Sequence, residues 1–486
     1  MSFLIFPNQL YEEPVLHYLK TYKPTHVILM EEPIYFYDPI YKPFRPNKVK
    51  LAYLRASMKY FFKNTLQKHC KNAIYVDYSQ ANHKTLPYPH PITAFDPIDH
   101  DVKAKYGTSI IYLNSPDLMI PLTALETFYK KYSPNKSIRH ATFYEFSKKH
   151  SNIFTHIPNQ DKYNRDPPPT KPIDTPYAYK PPKSLHSYYQ EAIHYINTHP
   201  VFKILHYGDP SHVFIYPITH KEALKNLNRF LTQALPNFGR YQDAVMKDDP
   251  FMYHSIISPA LNNGLLLPSL VIKKTMEYYA AHSSSIPTPA IEGFMRQVIG
   301  WRPYMQSLYI FRHQDLIHSN TAKNYNTFKD PSIWYKGETG ITPLDSEIKK
   351  AMQFGYAHHI VRLMIFMNFF ILCELHPYEI YKWFMEVVSI DAYSWVMESN
   401  IYAMGYFYPK AMTKPYLSTS HYIAKMTNYK KDGHWDKIWD ALYHSFIKHK
   451  PSNYTFFYKR TLKADKELDV IANEFKTKHF KPYKDS

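Results

Sequence analysis

Short apolar runs alternate with amphipathic stretches over the first 120 residues of the chain. Four of these runs have the length and composition of β-strands, at residues 3–6, 26–30, 73–78 and 110–113. Between them, residues 13–22 and 51–70 carry apolar side chains at the three-and-four spacing of a helix. Strands that alternate with helices in this way predict an α/β domain built on a parallel sheet.

The pattern changes twice after this region. Residues 160–184 are so rich in Pro and Lys that their apolar residues show neither helical nor strand spacing. This composition predicts an extended linker lying on the surface. From about Ser187 onward the spacing is helical almost to the end, and the basic, polar tail at 459–484 is expected to pack loosely. We therefore predict an α/β domain over residues 1–130, a linker over 131–186 and a large all-α domain over 187–486.

The best-defined helix is predicted to run from about residue 347 to residue 374 and to end before the next proline. Its buried stripe comprises Ile348, Met352, Tyr356, His359, Leu363, Phe366 and Phe370. Arg362 lies on the same side one turn after His359, whereas His358 points about 100° away. A buried Arg needs an anion, which either Asp391 or a bound cofactor could supply. A histidine on a buried face is more often a core residue than a catalyst, and adjacent histidines on a helix diverge too far to share a metal.

Composition and charge narrow the class of protein. The 486 residues are 45% hydrophobic, with 46 Tyr and 30 Phe, which excludes a disordered chain. Only eleven glycines occur, and neither a G-x-G-x-x-G fingerprint nor a P-loop motif is present. Lys and Arg outnumber Asp and Glu by 59 to 41, a formal charge of +18 that favours nucleic acid as a partner. A genome rich in A and T, which enriches Lys, Tyr and Asn, would produce the same excess.

Cys70 and Cys373 are the only cysteines, so we expect no disulfide framework and no cysteine-rich zinc or iron–sulfur site. The first residues lack the basic and apolar regions of a secretory signal. The longest apolar stretch, 363–373, is too short to span a bilayer. These features predict a soluble, intracellular protein, cytoplasmic if the source is prokaryotic, with no membrane partner, and we expect a monomer.

Aromatic and hydroxyl-bearing residues have two interpretations each. All six tryptophans lie in the helical part, at positions 301, 334, 383, 395, 435 and 439. They could be ordinary packing residues or a chain that carries an electron from the surface to a cofactor. Ser255 and Ser258 could cap helices or bind phosphate. Composition does not separate these alternatives.

Seven ordered segments carry a family resemblance. They are FGRYQDAVMKDDP (238–250), HSIISPALNNGLL (254–266), AIEGFMRQVIGWRPYM (290–305), YAHHIVRLMIFMNF (356–369), WFMEVVSIDAYSWV (383–396), TKPYLSTSHYIAKM (413–426) and ALYHSF (441–446). Together they resemble the prokaryotic (6-4) photolyases, a branch of the photolyase/cryptochrome family that normally carries an iron–sulfur cluster. Agreement is dense from 238 to 446 and sparse but collinear before that. The resemblance implies a Rossmann-like, antenna-type α/β domain and an all-α catalytic domain that binds FAD.

The resemblance also implies roles for individual residues. Cofactor contacts are implied for Tyr241, Ser255, Ser258, Arg302, Arg362, Asp391 and Asn400. Arg362 and Asp391 match the charged pair beside the isoalloxazine, and Asp391 would then be the anion that Arg362 needs. His359 matches the histidine implicated in (6-4) repair, with His358 its neighbour, where an imidazole can donate and recover a proton.

On the substrate side, the resemblance implies UV-damaged DNA as the partner. Trp301 matches a residue of the lesion pocket, on which a flipped dinucleotide would stack. Lys414 and Tyr416 match positions near that pocket or towards the DNA backbone. Trp383 and Trp334 match the electron-transfer tryptophans of the family.

The departures from the family are equally specific. Its four cluster cysteines fall at Thr342, Lys430, Gly433 and Lys437, none of which supplies a thiolate, so we predict no iron–sulfur cluster. We expect packing, with Trp435 and Trp439, to hold that region instead.

Other departures lie close to the flavin and the antenna. A tyrosine has become Phe384, which is far harder to oxidise, so photoreduction is expected to be slow or rerouted. Met397 replaces a glutamate that faces the flavin N5, Pro303 replaces the glutamate of a W-R-E run, and a glycine-rich loop is shortened at 406–412. Asn8 and Tyr35 replace carboxylates that the family offers to a ribityllumazine antenna, so binding of an antenna is left open.

The sequence therefore predicts an FAD-dependent DNA photolyase that repairs (6-4) photoproducts by light-driven electron transfer from reduced flavin. The principal alternative is a cryptochrome-like blue-light photoreceptor without repair activity, favoured by Phe384, Met397 and the lost cluster. A degenerate member that binds nucleic acid or a partner without FAD is a third possibility. Repair of cyclobutane dimers is a lesser variant of the first hypothesis, against which the match at His359 argues.

Overall fold

The computed structural model describes residues 1–81, 86–132, 136–170, 179–450 and 466–484. Its N-terminal part contains five strands, β1 (Ser2–Ile5), β2 (His26–Met30), β3 (Ala73–Val76), β4 (Ile92–Phe95) and β5 (Ile110–Leu113). They form a parallel sheet in the order β3-β2-β1-β4-β5, in which Ser2 pairs with both His26 and Ile92. This sheet confirms the predicted α/β class.

Helices cover both faces of the sheet and make up most of the remainder. Those before residue 155 are α1 (Glu12–Tyr22), α2 (Pro33–Phe36), α3 (Lys48–Phe61), α4 (Gln67–His69), α5 (His100–Tyr106), α6 (Leu122–Lys130) and α7 (His140–Ser151). Those after residue 185 are α8 (His186–Thr198), α9 (Pro200–Leu205), α10 (His220–Arg229), α11 (Leu235–Phe238), α12 (Ser258–Asn262), α13 (Pro268–His282), α14 (Thr288–Met295), α15 (Arg302–Ile317), α16 (Pro331–Lys336), α17 (Thr342–Phe354), α18 (Asn368–Leu372), α19 (Pro377–Val387), α20 (Ser394–Met404), α21 (Ser420–Met426), α22 (Trp435–His449) and α23 (Lys466–His479). The large all-helical region is therefore also confirmed. No helix in the described part of the chain is long and apolar enough to cross a membrane.

Strand β4 is absent from the sequence prediction. It is only four residues long and prolines lie on both sides of it, at positions 91 and 97. All four residues are buried because the strand lies between β1 and β5. A short apolar run of this kind lacks the alternation that identifies a half-buried strand.

The single helix predicted over residues 347–374 is wrong. Helix α17 ends at Phe354, and Gly355 follows with φ of +63°, the left-handed conformation that ends helices at glycine. Helical structure resumes at His359 and continues through a π-helical segment, Val361–Met367, into α18. The predicted stripe is therefore interrupted. His359 is exposed, whereas His358, expected to point elsewhere, is only 2% exposed.

The tail is better anchored than expected, and the predicted linker makes contacts with the helical region. Where the Pro- and Lys-rich stretch begins, the Gln160 amide donates to Glu292 at 3.1 Å and Asp161 forms an ion pair with Arg296 at 2.6 Å. Residues 171–178 lie outside the described part. In the tail, residues 466–484 form α23 and strand β7 (Phe480–Pro482), which pairs antiparallel with β6 (Asn326–Phe328). The expectation of a loosely packed tail is thus wrong for these residues, while 459–465 lie outside the described part.

Candidate active site

A cavity of about 250 Å³ lies within the all-helical region. Its walls come from five stretches of chain, 238–242, 254–258, 294–297, 356–367 and 384–404. Apolar rings such as those of Phe238, Phe294 and Phe384 form much of the lining. Its uncharged hydroxyl and amide side chains are Gln242, Ser255, Ser258, Gln297, Tyr356 and Asn400. An apolar chamber with a few placed polar groups is typical of a cofactor or small-molecule site.

Two helices change to π-helical winding where they reach this cavity. The segment Arg296–Trp301 joins α14 to α15, and Val361–Met367 precedes α18. Gln297 from the first segment and Arg362 from the second face the cavity. Because π-winding changes the register of side chains along a helix, it is frequent at functional sites.

Arg362 and Asp391 form an ion pair in the cavity wall. The Arg362 Nη2 lies 2.9 Å from each carboxylate oxygen of Asp391, and its Nε donates to the Ala357 carbonyl at 2.6 Å. The hydroxyl of Ser258 donates to Asp391 Oδ2 at 2.6 Å. The Asp391 side chain is 5% exposed and that of Arg362 is 16% exposed. The pair is therefore fixed in place, with part of the guanidinium left open towards the cavity.

A strained turn shapes another part of the wall. Met252 and Ile256 have φ of 46° and 51°, and Ile256 lines the cavity. A β-branched residue in the left-handed region is uncommon, and such strain amounts to roughly 1–3 kcal/mol. Oδ1 of Asp249 holds the turn by accepting the amides of Phe251 and Met252, each at 2.9 Å. Strain that is held in this way is characteristic of ligand-binding and catalytic segments.

Three histidines lie on one side of the cavity. His254 and His359 line it, and the ring of His358 stacks on that of His254 with centroids 4.1 Å apart and an angle of 15°. Nδ1 of His254 lies 3.1 Å from the Phe251 carbonyl, which can only accept, so this nitrogen carries the proton. Nε2 of His254 is therefore an acceptor. Neither ring nitrogen of His358 has a hydrogen-bond partner among the described residues.

All three imidazoles are neutral at neutral pH. Burial lowers the pKa of His254 to about 4. Burial and then the Arg362 charge lower the pKa of His359 to about 4. The pKa of His358 is well below its ordinary value, through burial and then through the repulsion that its charged form would meet from a charged His254. His359 is exposed through the cavity, yet the surrounding walls still displace enough water to disfavour its charged form.

The fold and this site can be compared with those of known proteins. No family model matches the chain. It is 37% identical over 218 residues to a (6-4) photolyase of Agrobacterium fabrum, an alignment that covers 44% of this chain and 42% of that protein. The fold is similar to that of a bacterial class III photolyase from Agrobacterium tumefaciens, with a TM-score of 0.51 and 16% identity over 82% of this chain and 78% of that one. It is also similar to the cryptochrome of Synechocystis sp. PCC6803, with a TM-score of 0.55 and 15% identity over 85% of this chain and 82% of that one.

The chain resembles the photolyase/cryptochrome family: it shares the fold of these proteins and, over 42% of the length of one (6-4) photolyase, their sequence. Five of the seven residues for which this family implies cofactor contact line the cavity, namely Ser255, Ser258, Arg362, Asp391 and Asn400. Tyr241 lies beside the cavity and stacks on Tyr253, with ring centroids 5.6 Å apart. Arg302 lies outside it, because Nη2 of Arg302 is bound by both carboxylate oxygens of Asp117, at 2.7 and 2.8 Å.

The position of the family's flavin-facing glutamate is apolar here. Met397 lines the cavity, and Glu398, one residue later, does not. Glu398 Oε1 lies 2.7 Å from Nδ1 of His313, and burial raises the pKa of Glu398 to about 7. Pro303 is buried in α15. The carboxylate next to Met397 is therefore directed at His313 and does not replace the missing group.

The lesion-side residues of the family lie outside the cavity lining. Trp301 stacks on His140 with centroids 3.7 Å apart and an angle of 7°. Burial lowers the pKa of His140 to about 3, so the stack is neutral. Lys414 is exposed and Tyr416 is half-buried. The structure thus fixes the Trp301 indole against an imidazole, a contact that the sequence does not reveal.

The two tryptophans matched to electron transfer are in contact. Nε1 of Trp383 donates to the Trp334 carbonyl at 3.0 Å, and the Phe370 ring lies 4.9 Å from Trp383 and 5.9 Å from Trp334. Phe384 lines the cavity, with its ring 5.3 Å from that of Trp383. A phenylalanine therefore occupies the place nearest to the cavity along this row of rings.

The segments that carry the family's cluster positions are joined by other contacts. Thr342 donates to Asp432 at 3.5 Å, and Asp432 accepts the amide of Trp435 at 3.1 Å. The Trp435 indole donates to the Lys430 carbonyl at 3.0 Å and meets Trp439 edge to face, with centroids 6.2 Å apart. Both indoles are 0% exposed. Gly433 and Lys437 are the other two positions that match the family's cluster cysteines. Among the described residues, no group of three His, Cys, Asp or Glu side chains could hold a metal.

The antenna positions are tightly packed. Nδ2 of Asn8 donates to the Pro97 carbonyl at 3.0 Å, and Tyr35 is 4% exposed with its ring 5.7 Å from that of Tyr393. The cavity that Tyr35 lines measures about 10 Å³, enough for one water molecule. Lys50 also lines it and lies over the Tyr393 ring at 4.5 Å. Whether an antenna binds near these positions stays open.

Several site residues escaped the sequence analysis. His254 opens the hydroxyl-rich segment, but we assigned roles there to the serines alone. Gln297 lies inside a π-helical segment, where α-helical spacing does not predict which side chains share a face. His140 is 161 positions from Trp301 in sequence, and only the fold brings them together. An isolated histidine offers no local signal of such a contact.

Proposed function

We propose that this protein is an FAD-dependent photolyase that repairs (6-4) photoproducts in DNA. The observation that carries the proposal is that one cavity contains both the Arg362–Asp391 pair and the accessible imidazole of His359. The Arg362–Asp391 pair could bind the polar groups of a flavin, and the His359 imidazole could transfer a proton to or from a lesion.

The donor set of the cavity fits FAD. The guanidinium of Arg362, the hydroxyls of Ser255 and Ser258 and the amide of Asn400 would hold its polar groups, while the phenylalanines would cover its apolar ring. When bound and reduced, FAD supplies light-driven electron transfer. The protein's own contribution is to orient the ring, exclude water and hold Asp391 against Arg362.

His359 would act on the lesion. With a pKa of about 4 in the free protein, its imidazole is neutral and can accept a proton or donate a hydrogen bond. An anionic DNA phosphate brought near it would favour the charged form and raise this pKa. DNA binding would therefore prepare His359 to act as a proton donor.

DNA would bind through charge more than through sequence. The formal charge of +18 and the exposed Lys414 favour phosphate contacts, and the neutral Trp301–His140 stack offers an aromatic surface for an extruded base.

The proposed enzyme has no iron–sulfur cluster, because Trp435 and Trp439 fill the region with buried indoles. Whether it binds a lumazine antenna stays open.

Illumination of flavin-loaded, reduced protein with two separate oligonucleotides tests the proposal. One carries a (6-4) photoproduct and the other a cyclobutane dimer, with dark controls and His359→Ala in parallel. We expect light-dependent restoration of the (6-4) oligonucleotide by the wild type and not by the variant. Restoration of the cyclobutane dimer alone would overturn the choice of lesion.

A cryptochrome-like photoreceptor is the second candidate, favoured by Phe384 and Met397 in the cavity wall. Both substitutions remove groups that can transfer protons or electrons. Flavin that binds and photoreduces normally, with neither lesion restored, would support this function. Protein that takes up no flavin would contradict both candidates.

A further inference from the structure

The two tryptophans matched to electron transfer are enclosed by the protein. Trp334 and Trp383 are both 0% exposed. Among the described residues, the rings packed against Trp334 belong to Phe328, Phe369, Phe370, His479 and Phe480. Phenyl rings and neutral imidazoles are much harder to oxidise than indole, so these neighbours cannot reduce an oxidised Trp334. An electron from outside needs another point of entry.

Tyr335 is the readily oxidised residue that adjoins Trp334 in the chain. Its phenol donates a hydrogen bond to Oε2 of Glu386. Glu386 is 0% exposed and lies one turn after Trp383 on α19. Since the Trp383 indole donates to the Trp334 carbonyl, the tyrosine, its carboxylate and both tryptophans meet at the contact between α16 and α19.

A second tyrosine extends this unit towards the surface. The ring of Tyr207 stacks on that of Tyr335 with centroids 4.5 Å apart and an angle of 28°. Tyr207 is only half-buried, and the Arg45 guanidinium lies 5.4 Å from its centroid. The Arg45 amide donates to Oε1 of Glu386 at 2.9 Å. The Tyr335–Glu386 pair thus lies between a partly exposed ring and the enclosed tryptophans.

A buried phenol can lose an electron readily only beside a base, because the oxidised phenol is a strong acid. Oε2 of Glu386 already accepts the hydrogen bond along which the proton would move. Burial raises the pKa of Glu386 above its ordinary value, which makes the carboxylate a better proton acceptor. Burial and the adjacent carboxylate raise the pKa of Tyr335, so the proton stays on the phenol until the electron leaves.

We propose that Tyr335 and Glu386 form a redox site that reduces oxidised Trp334. The inference rests on the proposed function, since bound, oxidised FAD would supply on illumination the oxidising power that takes an electron from Trp383, and Trp334 would in turn reduce Trp383. One electron passes from Tyr335 to Trp334, and the phenolic proton passes to Glu386. The products are a neutral tyrosyl radical, a protonated Glu386 and restored tryptophans, with the electron on the flavin. A thiol in solution later returns one electron, and Glu386 returns the proton.

The chain provides a matched control. Tyr429 is also a buried tyrosine of the helical region, and its phenol donates to Oε1 of Glu347 at 2.7 Å. This bond involves neither Trp334 nor Trp383. Tyr429→Phe therefore removes the same kind of tyrosine–carboxylate pair without touching the proposed path.

Electron paramagnetic resonance of the flavin-loaded, oxidised protein tests the site. The protein is illuminated with blue light without added reductant and then frozen. We expect a neutral tyrosyl signal in the wild type and in Tyr429→Phe, its loss in Tyr335→Phe and a much lower yield in Glu386→Gln. Wild-type protein grown with ring-deuterated tyrosine should show a narrowed signal, whereas ring-deuterated tryptophan should leave it unchanged. The labelling experiment identifies the radical type without a substitution that could disturb folding.

The outcomes separate this proposal from the proposed function. A tyrosyl signal that persists in Tyr335→Phe, or a wild-type signal that belongs to tryptophan, overturns the redox site while flavin binding and repair stand. Equal loss in Tyr335→Phe and Tyr429→Phe also overturns it. Absence of flavin uptake would overturn both proposals together, and the flavin absorbance of the sample shows this before illumination.

Discussion

Replacing Asp391 by Asn removes the negative charge that faces Arg362 while keeping the shape of the side chain. Loss of one partner of a buried ion pair typically destabilises a protein by about 3–5 kcal/mol. The Arg362 side chain is 16% exposed, so water can solvate part of its charge. We therefore expect the free energy of unfolding of the flavin-free protein to fall by about 2–3 kcal/mol in Asp391→Asn.

The effect on flavin binding is expected to be separable. At a free FAD concentration of 100 times Kd, binding stabilises the native protein by about 2.7 kcal/mol. If Asp391→Asn removes about 2 kcal/mol of charge-assisted binding energy, Kd for FAD rises by about 30-fold. The stabilisation by FAD then falls to about 0.9 kcal/mol. Urea unfolding with and without FAD measures both quantities for the wild type and the variant.

A second buried Arg–Asp pair provides the control. Arg302 and Asp117 are 9% and 8% exposed, with a shortest distance of 2.7 Å, and they lie outside the cavity. Asp117→Asn should destabilise the flavin-free protein to a similar extent and leave the gain from FAD at about 2.7 kcal/mol. An unchanged gain in Asp391→Asn, or an equal loss in both variants, would refute the assignment of Asp391 to the flavin site.

Three further predictions concern other parts of the account. NMR titration of His359 should give a pKa of about 4 in the free protein, below the usual value of about 6.5, and a higher pKa with lesion-containing DNA. A pKa near 6.5 without DNA would show that the cavity walls do not desolvate the imidazole. Trp439→Ala should lower the free energy of unfolding by about 3–5 kcal/mol in chemical denaturation, because a fully buried indole is removed; a change below about 1 kcal/mol would show that its packing is unimportant. Lys414→Ala should weaken DNA binding equally for all sequences and reduce the slope of log K against log salt by about 1, and an unchanged slope would exclude a phosphate contact.

The parallel sheet and the helical region were predictable because burial sets the spacing of apolar residues. The end of the helix at Phe354 was harder to predict from the sequence. Gly355 is a stop signal in the sequence, but the apolar spacing continues past it and favoured one long helix. The π-helical segments and the exposure of His359 depend on how that broken helix meets its neighbours, which no local pattern encodes.

Pairings between distant residues limited the prediction of the site. Family resemblance placed Arg362 near Asp391, and the structure shows them 2.9 Å apart. The same reasoning assigned Arg302 to the cofactor, yet Asp117, 185 positions away in sequence, engages its guanidinium outside the cavity. The stack of His254 on His358 likewise depends on the fold alone.

The central proposal is that this protein repairs (6-4) photoproducts catalytically. Counting restored lesions per protein molecule under blue light, with flavin-loaded, reduced protein and excess (6-4) oligonucleotide, tests it most directly. We expect more than one restored lesion per protein molecule, dependence on light and no restoration by His359→Ala. No restoration by the wild type, with flavin bound and reduced, would contradict the claim and favour a photoreceptor.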